Sequence, residues 1–258
     1  MAIKYNEQNK SFQLDTKSAS YVIGVVDAEG FVGHAYFGKK LGEDDVTYLM
    51  RTGEAPFTPE KNSRDRLSFL DCFPMEYPTG GVGDYRESAI VVRSSGGHRA
   101  LQLTMDSFNI YKGKKPLEGL PATWGSEEDT ETLELVLTDK VLNVKAVLSY
   151  SIFEGIDAVV RSVKLYNESA EPVFIDRIMS ASMDMDNKEY DKILLNGSWA
   201  RERHINRTPV NYGVQSMSST RGEEGHQTHP FMALLDKNAT DDAGDVYGIN
   251  LIYSGNTG

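Results

Sequence analysis

Two consecutive segments between residues 132 and 153 place apolar side chains at every second position, and that period restricts the chain to pleated sheet. In Lys140–Phe153, Leu142, Val144, Ala146, Leu148, Tyr150 and Ile152 fall on one side, against Asn143, Lys145, Val147, Ser149 and Ser151 on the other. Such alternation marks a half-buried strand, because successive side chains of an extended chain point to opposite faces. Thr132–Thr138 alternates likewise through Leu133, Leu135 and Leu137, with Asp139 at the junction, so the pair predicts a tight hairpin.

The same grammar continues along the chain. Strands are expected at Tyr21–Val26, Phe31–Phe37, Ala89–Arg93, Ala100–Met105, Phe108–Tyr111, Ala158–Tyr166, Pro172–Met185, Lys192–Leu195, Phe231–Leu235 and Val246–Tyr253. They are rich in Val, Ile, Tyr, Phe and Thr and are bounded by turn-forming residues. No long stretch carries the 3.6-residue period of a helix, and Lys39–Arg51 has room for one short helix. So many strands must pair and stack. The expected fold is all-β, two large antiparallel sheets packed as a sandwich and spanning residues 1–258 as one domain.

Charge and cysteine content remove several function classes. A formal charge of −11 and a pI near 5.0 repel phosphate backbones and anionic lipid heads, so neither nucleic acid nor membrane is an expected partner. Cys72 is the only cysteine, which excludes an internal disulfide and any multi-cysteine metal site. The first residues lack the basic and apolar regions of a secretory signal, and no apolar run is long enough to span a bilayer. A cytoplasmic location is expected. The N-x-S/T triplets at Asn167, Asn196, Asn206 and Asn238 then carry no glycan, since glycosylation requires the secretory route.

Two long zones without clear periodicity, Thr52–Arg86 and Trp199–Pro230, are the expected functional loops. The second opens with Trp199-Ala200-Arg201-Glu202-Arg203-His204, a large ring among cations and one carboxylate. In an extended chain Trp199, Arg201 and Arg203 share one side, and an indole face there suits stacking on a sugar. The alternative is a core Trp199 beside surface ion pairs that contribute little. Farther on, His226 and His229 with Glu223 or Glu224 raise the question of a metal. Glycines before them and Pro230 after remove the helical spacing such a site uses, so an ordinary polar loop is preferred. The acidic groups Asp184-Met185-Asp186 and Asp241-Asp242 lack the calcium-loop pattern. Gly80-Gly81-Val82-Gly83 lacks the G-K-S/T of a phosphate loop, and Lys112-Gly113-Lys114-Lys115 is too short for a nucleic-acid patch. With no G-x-S-x-G elbow, serine hydrolysis has no support either. Nothing here implies a cofactor or a resident metal.

Taken in order, several blocks resemble the amino-terminal domain of bacterial α-galactosidases of glycoside hydrolase family 36. They include Tyr36-Phe37-Gly38-Lys39, Arg66-Leu67-Ser68-Phe69-Leu70-Asp71, Leu117-Glu118-Gly119-Leu120-Pro121 and Trp199-Ala200-Arg201-Glu202-Arg203. Gly213-Val214-Gln215-Ser216, Arg221-Gly222, Pro230-Phe231 and Tyr253-Ser254-Gly255-Asn256 extend the match to the end of the chain. The resemblance implies a large β-supersandwich, followed in complete enzymes by a (β/α)8 barrel and a carboxy-terminal β-domain. Retaining glycosidases use two carboxyl groups about 5–5.5 Å apart. The resemblance assigns both to the barrel, the nucleophile in a Lys-Trp-Asp motif. Here the two tryptophans are followed by Gly125 and Ala200, so no catalytic residue is expected in this chain.

The resemblance further implies an accessory role in a complete enzyme that hydrolyses terminal α-galactosides such as melibiose or raffinose. Its partners would be its own barrel, other copies in a homo-oligomer (a tetramer), and the α-galactoside at the pocket entrance. Trp199 matches the family's aromatic pocket wall. Arg51 and Glu54 fall where the family carries an Arg-Leu-Asp-Arg stretch that reaches a pocket; the Asp is missing here, and Glu54 stands as a substitute. The competing reading is a stand-alone carbohydrate-binding β-sandwich module.

Overall fold

The alternating segments around residue 140 form two paired strands, and the polar residues between them turn the chain. In the computed structural model, which describes residues 2–53, 66–223 and 225–258, they are two of fourteen strands. In chain order these are β1 (Ala2–Asn6), β2 (Ser11–Asp15), β3 (Ala19–Val26), β4 (Phe31–Lys39), β5 (Ile90–Ser94), β6 (Thr104–Lys112) and β7 (Thr130–Asp139). There follow β8 (Val144–Phe153), β9 (Val159–Asn167), β10 (Val173–Ile178), β11 (Asp191–Ser198), β12 (Arg201–Pro209), β13 (Thr228–Leu235) and β14 (Val246–Asn250). Every ladder between them is antiparallel, so the all-β expectation holds. The strands divide among four sheets, ordered β1-β2-β3-β4, β10-β5, β12-β11-β13-β14 and β6-β7-β8-β9.

The central hairpin corrects one boundary. β7 and β8 pair from Thr130↔Phe153 to Asp139↔Val144, and residues 140–143 belong to the turn rather than to the strand. Asp139 Oδ1 accepts the backbone N–H groups of Val141 and Leu142 at 2.8 and 2.7 Å, while Asn143 takes a left-handed φ of 51°. An aspartate that satisfies the amides two and three residues on ends a ladder, because those amides no longer need a strand partner.

The chain separates into two compact units. The first comprises Met1–Lys115 and Trp124–Met185, the second Pro116–Thr123 and Asp186–Gly258. In the first, Ile3, Phe12, Leu14, Tyr21 and Ile23 of β1–β3 form one buried cluster with Leu133, Leu135 and Leu137 of β7 and the alternating β8 residues Val144 to Ile152. This is the face-to-face sheet packing expected of a sandwich. The back of β3–β4 is covered as well: Val22, Phe31 and Ala35 pack with Met50, Phe69, Leu70, Phe73 and Met75. Burial on both faces explains why Tyr21–Val26 is a continuous apolar run without alternation. The covering segment lies so close that a Cβ on Gly33 would stand 2.4 Å from Phe73 Cζ.

Much of the first expected functional loop is therefore core. Within residues 66–86, a short 3-10 turn at Arg66–Asp71 leads into buried Phe73, Met75, Glu76 and Tyr77. The expected short helix in Lys39–Arg51 is a 3-10 turn of three residues, Thr47–Leu49. Of the expected strand Ala100–Met105 only Thr104 and Met105 are in a strand, and they join Phe108–Tyr111 in one strand, β6, whose register shifts between Met105 and Ser107. β1 and β2 were not anticipated, because each is five residues long and its alternation rests on only two large apolar residues, Ile3 and Tyr5 in β1 and Phe12 and Leu14 in β2.

A charged centre lies inside the first unit. The fully buried Glu76 carboxylate accepts hydrogen bonds at Oε1 from Tyr21 and Tyr150 hydroxyls at 2.7 and 2.9 Å and pairs with Arg161 Nη1 at 2.8 Å. His34 Nδ1 stands 3.3 Å from the other oxygen. Arg161 also lies over the Tyr150 ring at 4.3 Å and donates to Ser182 O at 3.2 Å. Burial pushes the Glu76 carboxyl up, but Arg161, His34 and Tyr21 more than offset it, and the group lies below its ordinary range. Burial pushes the Tyr21 and Tyr150 hydroxyls well up, so both stay protonated donors.

Candidate functional site

In the second unit, β11 and β12 turn back on each other through Trp199-Ala200. Their pairing runs from Asp191↔Pro209 to Ser198↔Arg201, with a register shift between Asn196 and Ser198. Gly197 occupies that shift: a Cβ there would lie 2.2 Å from Arg201 O and 2.9 Å from Glu202 Cα. Only glycine lets the strands approach so closely. Ala200 adopts φ 61°, in the left-handed region that residues with a Cβ rarely enter, and its N–H donates to Glu202 Oε1 at 2.9 Å. The carboxylate thus closes the turn that holds the indole at the hairpin tip.

Trp199 is 79% exposed there, which removes the alternative of a core tryptophan. The extended reading of the segment is also corrected, since the turn at 199–200 and the left-handed φ of 57° at Arg203 break the alternation that would have aligned Trp199, Arg201 and Arg203. The zone expected to be irregular instead contains β12 and the start of β13. β12, Arg-Glu-Arg-His-Ile-Asn-Arg-Thr-Pro, is exposed along nearly its whole length, so no apolar period marks it as a strand.

Pairing of β13 beside β11 brings a distant residue to the tip. The His226 ring meets the indole edge to face, with centroids 5.4 Å apart and planes at 82°, and its Nδ1 lies 3.4 Å from Glu202 Oε1. Backbone N–H groups of Glu202 itself and of Ala200 hold the Glu202 carboxyl below its ordinary range, with His226 and Arg203 adding to the effect. Leu195, Glu202, Arg203, Gly225, His226 and His229 line a shallow cleft beside the tip. The sequence showed Trp199 and Glu202 as neighbours, but their link to His226 depends on strand pairing and left no mark in spacing.

The arrangement offers an aromatic face flanked by one carboxylate and two imidazoles, which suits binding better than bond cleavage. Among the described residues Glu202 is the one carboxylate lining the cleft, whereas retaining glycosidic chemistry needs two about 5–5.5 Å apart. Among the described residues no three His, Cys, Asp or Glu side chains converge on a metal position. Glu224 lies outside them. Asp184 pairs with Arg86, and the turn holding Asp241 and Asp242 is tied by N–H donation from Asp242 to Thr240 Oγ1 at 3.3 Å. Of the other site candidates, Arg51 is exposed in the first unit, and Glu54 lies outside the described residues.

Fold and hairpin together define an antiparallel β-sheet protein that displays an aromatic ring at a strand turn. The family description "Glycosyl hydrolase family 36 N-terminal domain" matches residues 30–258, and the chain belongs to that family. It is 38% identical over 257 residues to α-galactosidase AgaA of Geobacillus stearothermophilus, covering 99% of this chain and 35% of that protein. The crystal structure of α-galactosidase AgaB from the same organism superposes with a TM-score of 0.92 at 38% identity, over 99% of this chain and 35% of that one. A variant of AgaA in complex with raffinose superposes at 0.90 with 38% identity, over 96% of this chain and 34% of that one. The chain thus spans about a third of the length of the relatives it matches. No described helix is long and apolar enough to cross a membrane.

Proposed function

We propose that this chain is the accessory amino-terminal domain of an α-galactosidase, and that its β11–β12 hairpin forms part of the entrance to the galactoside pocket of the complete enzyme. The observation that carries the reading is Trp199, a large ring left 79% exposed at a closed hairpin tip. Its apolar face suits the C–H face of a galactosyl ring. The relatives crystallised with raffinose and stachyose support terminal α-galactosides as the substrate class. The two catalytic carboxyls come from a barrel domain, in a homo-oligomer, a tetramer, working in the cytoplasm. Arg51 and Glu54 serve a pocket as well. Ile205, Tyr212, Val214, Ile249 and Tyr253 of the second unit are large apolar side chains left exposed, and burying them favours cover by further protein.

The isolated chain is expected to release no chromophore from an aryl α-galactoside beyond a mock purification. Turnover clearly above that background contradicts the accessory reading. A second reading, a stand-alone sugar-binding module, is favoured by Trp124, 84% exposed in the first unit. Absence of heat on calorimetric titration with millimolar melibiose or raffinose removes it.

A further inference from the structure

The hairpin tip contains more than an exposed ring. Glu202 reaches back to the turn amide of Ala200 at 2.9 Å, and the same oxygen stands 3.4 Å from His226 Nδ1. The His226 ring in turn meets Trp199 edge to face. One carboxylate oxygen therefore links the turn that carries the indole to the imidazole that touches it. We infer that Glu202 and His226 are positioning residues, a brace that fixes the Trp199 ring at the tip and makes its presentation depend on the charge of His226.

Each part of the brace has a separate physical role. The Glu202–Ala200 bond holds a residue with a Cβ in the left-handed region, a conformation that is unfavourable without compensation. The T-shaped contact places an imidazole edge against the ring, and a protonated imidazole adds a charge–quadrupole attraction. Protonation also ensures that Nδ1 carries a hydrogen to donate toward the Glu202 carboxylate, making the contact an ion pair. Among the described residues, the charged and titratable groups around His226 are Glu202 and Arg203 from β12, His229 from β13 and Arg221, whose side chain approaches Gly225.

The functional meaning of the brace rests on the pocket-entrance reading above, but its existence does not, and fluorescence separates the two. The chain has two tryptophans, so Trp124→Phe leaves Trp199 as the sole indole reporter. Protonated imidazole in contact with an indole quenches it. In the Trp124→Phe chain the brace predicts a loss of emission on acidification through the imidazole range, roughly pH 8 to 5. Adding His226→Asn abolishes that transition, and His229→Asn preserves it. A flat profile, or a transition that survives His226→Asn, overturns the brace. Should a variant unfold, its circular dichroism shows it, and the Trp124→Phe profile with the His229→Asn control still decides. Within the complete enzyme, His226→Asn raises KM for raffinose with little change in kcat. If Trp199→Ala leaves that KM unchanged while the fluorescence transition is present, the pocket reading falls and the brace stands.

Discussion

Two clusters in this chain use the same vocabulary of carboxylate, imidazole, guanidinium and aromatic ring, and they differ in solvent. Around Glu76 every partner points inward, and the carboxylate has no exposed surface. At the hairpin tip Glu202 and His226 are each more than two-fifths exposed. A buried charge must be matched by bonds, because water cannot stabilise it. An exposed one is stabilised by water and remains available to a ligand. The difference teaches that Glu76 and Arg161 fix the sheets of the first unit, whereas Glu202 and His226 shape a surface.

The largest effect is expected from breaking the buried centre. Glu76→Gln leaves Arg161 charged and unmatched in the core, a change that typically costs about 3–5 kcal/mol. Urea unfolding of the variant should show that loss, and a midpoint equal to the parent's erases the contrast between the clusters. A smaller effect is expected on the acid limb. Hydrogen bonds from the Ser18 hydroxyl and backbone N–H, then from the Thr16 hydroxyl, hold the Asp157 carboxyl down to about 2. Its folded value lies below its ordinary 3.8, so its stabilisation is complete above that pH and is lost as pH falls toward 2. Glu76, also held low, loses its contribution in the same direction below about 4.5. Asp157→Asn should therefore lower stability near neutrality and flatten its decline between about pH 4 and 2. A decline as steep as the parent's removes Asp157 from that account.

The antiparallel β fold was legible where burial is one-sided or complete. Leu133 to Ile152 alternate because β7 and β8 have one wet face, and Tyr21–Val26 run unbroken because both faces are covered. β12 was illegible because its side chains are nearly all exposed, and solvent exerts no periodic selection on them. The first long zone misled for the opposite reason, since its irregular backbone packs Phe69, Phe73 and Tyr77 without any repeating pattern. At the site, Trp199 could be read from composition and resemblance. The roles of His226 and of the Glu76–Arg161 pair could not, because the partners are separated by long stretches and meet only through strand pairing and packing.

The smallest stability effect belongs to the tip. Trp199→Ala removes a ring that is mostly in water, and such surface changes usually stay within about 0.5 kcal/mol. That makes the variant the sharpest probe of function. The direct measurement is the kcat/KM for raffinose, with the thermal midpoint, of Trp199→Ala in the complete enzyme that contains this chain. A clear fall in kcat/KM with an unchanged midpoint is the predicted result. A lowered midpoint with parental kinetics would return Trp199 to a structural role and contradict the proposed pocket entrance.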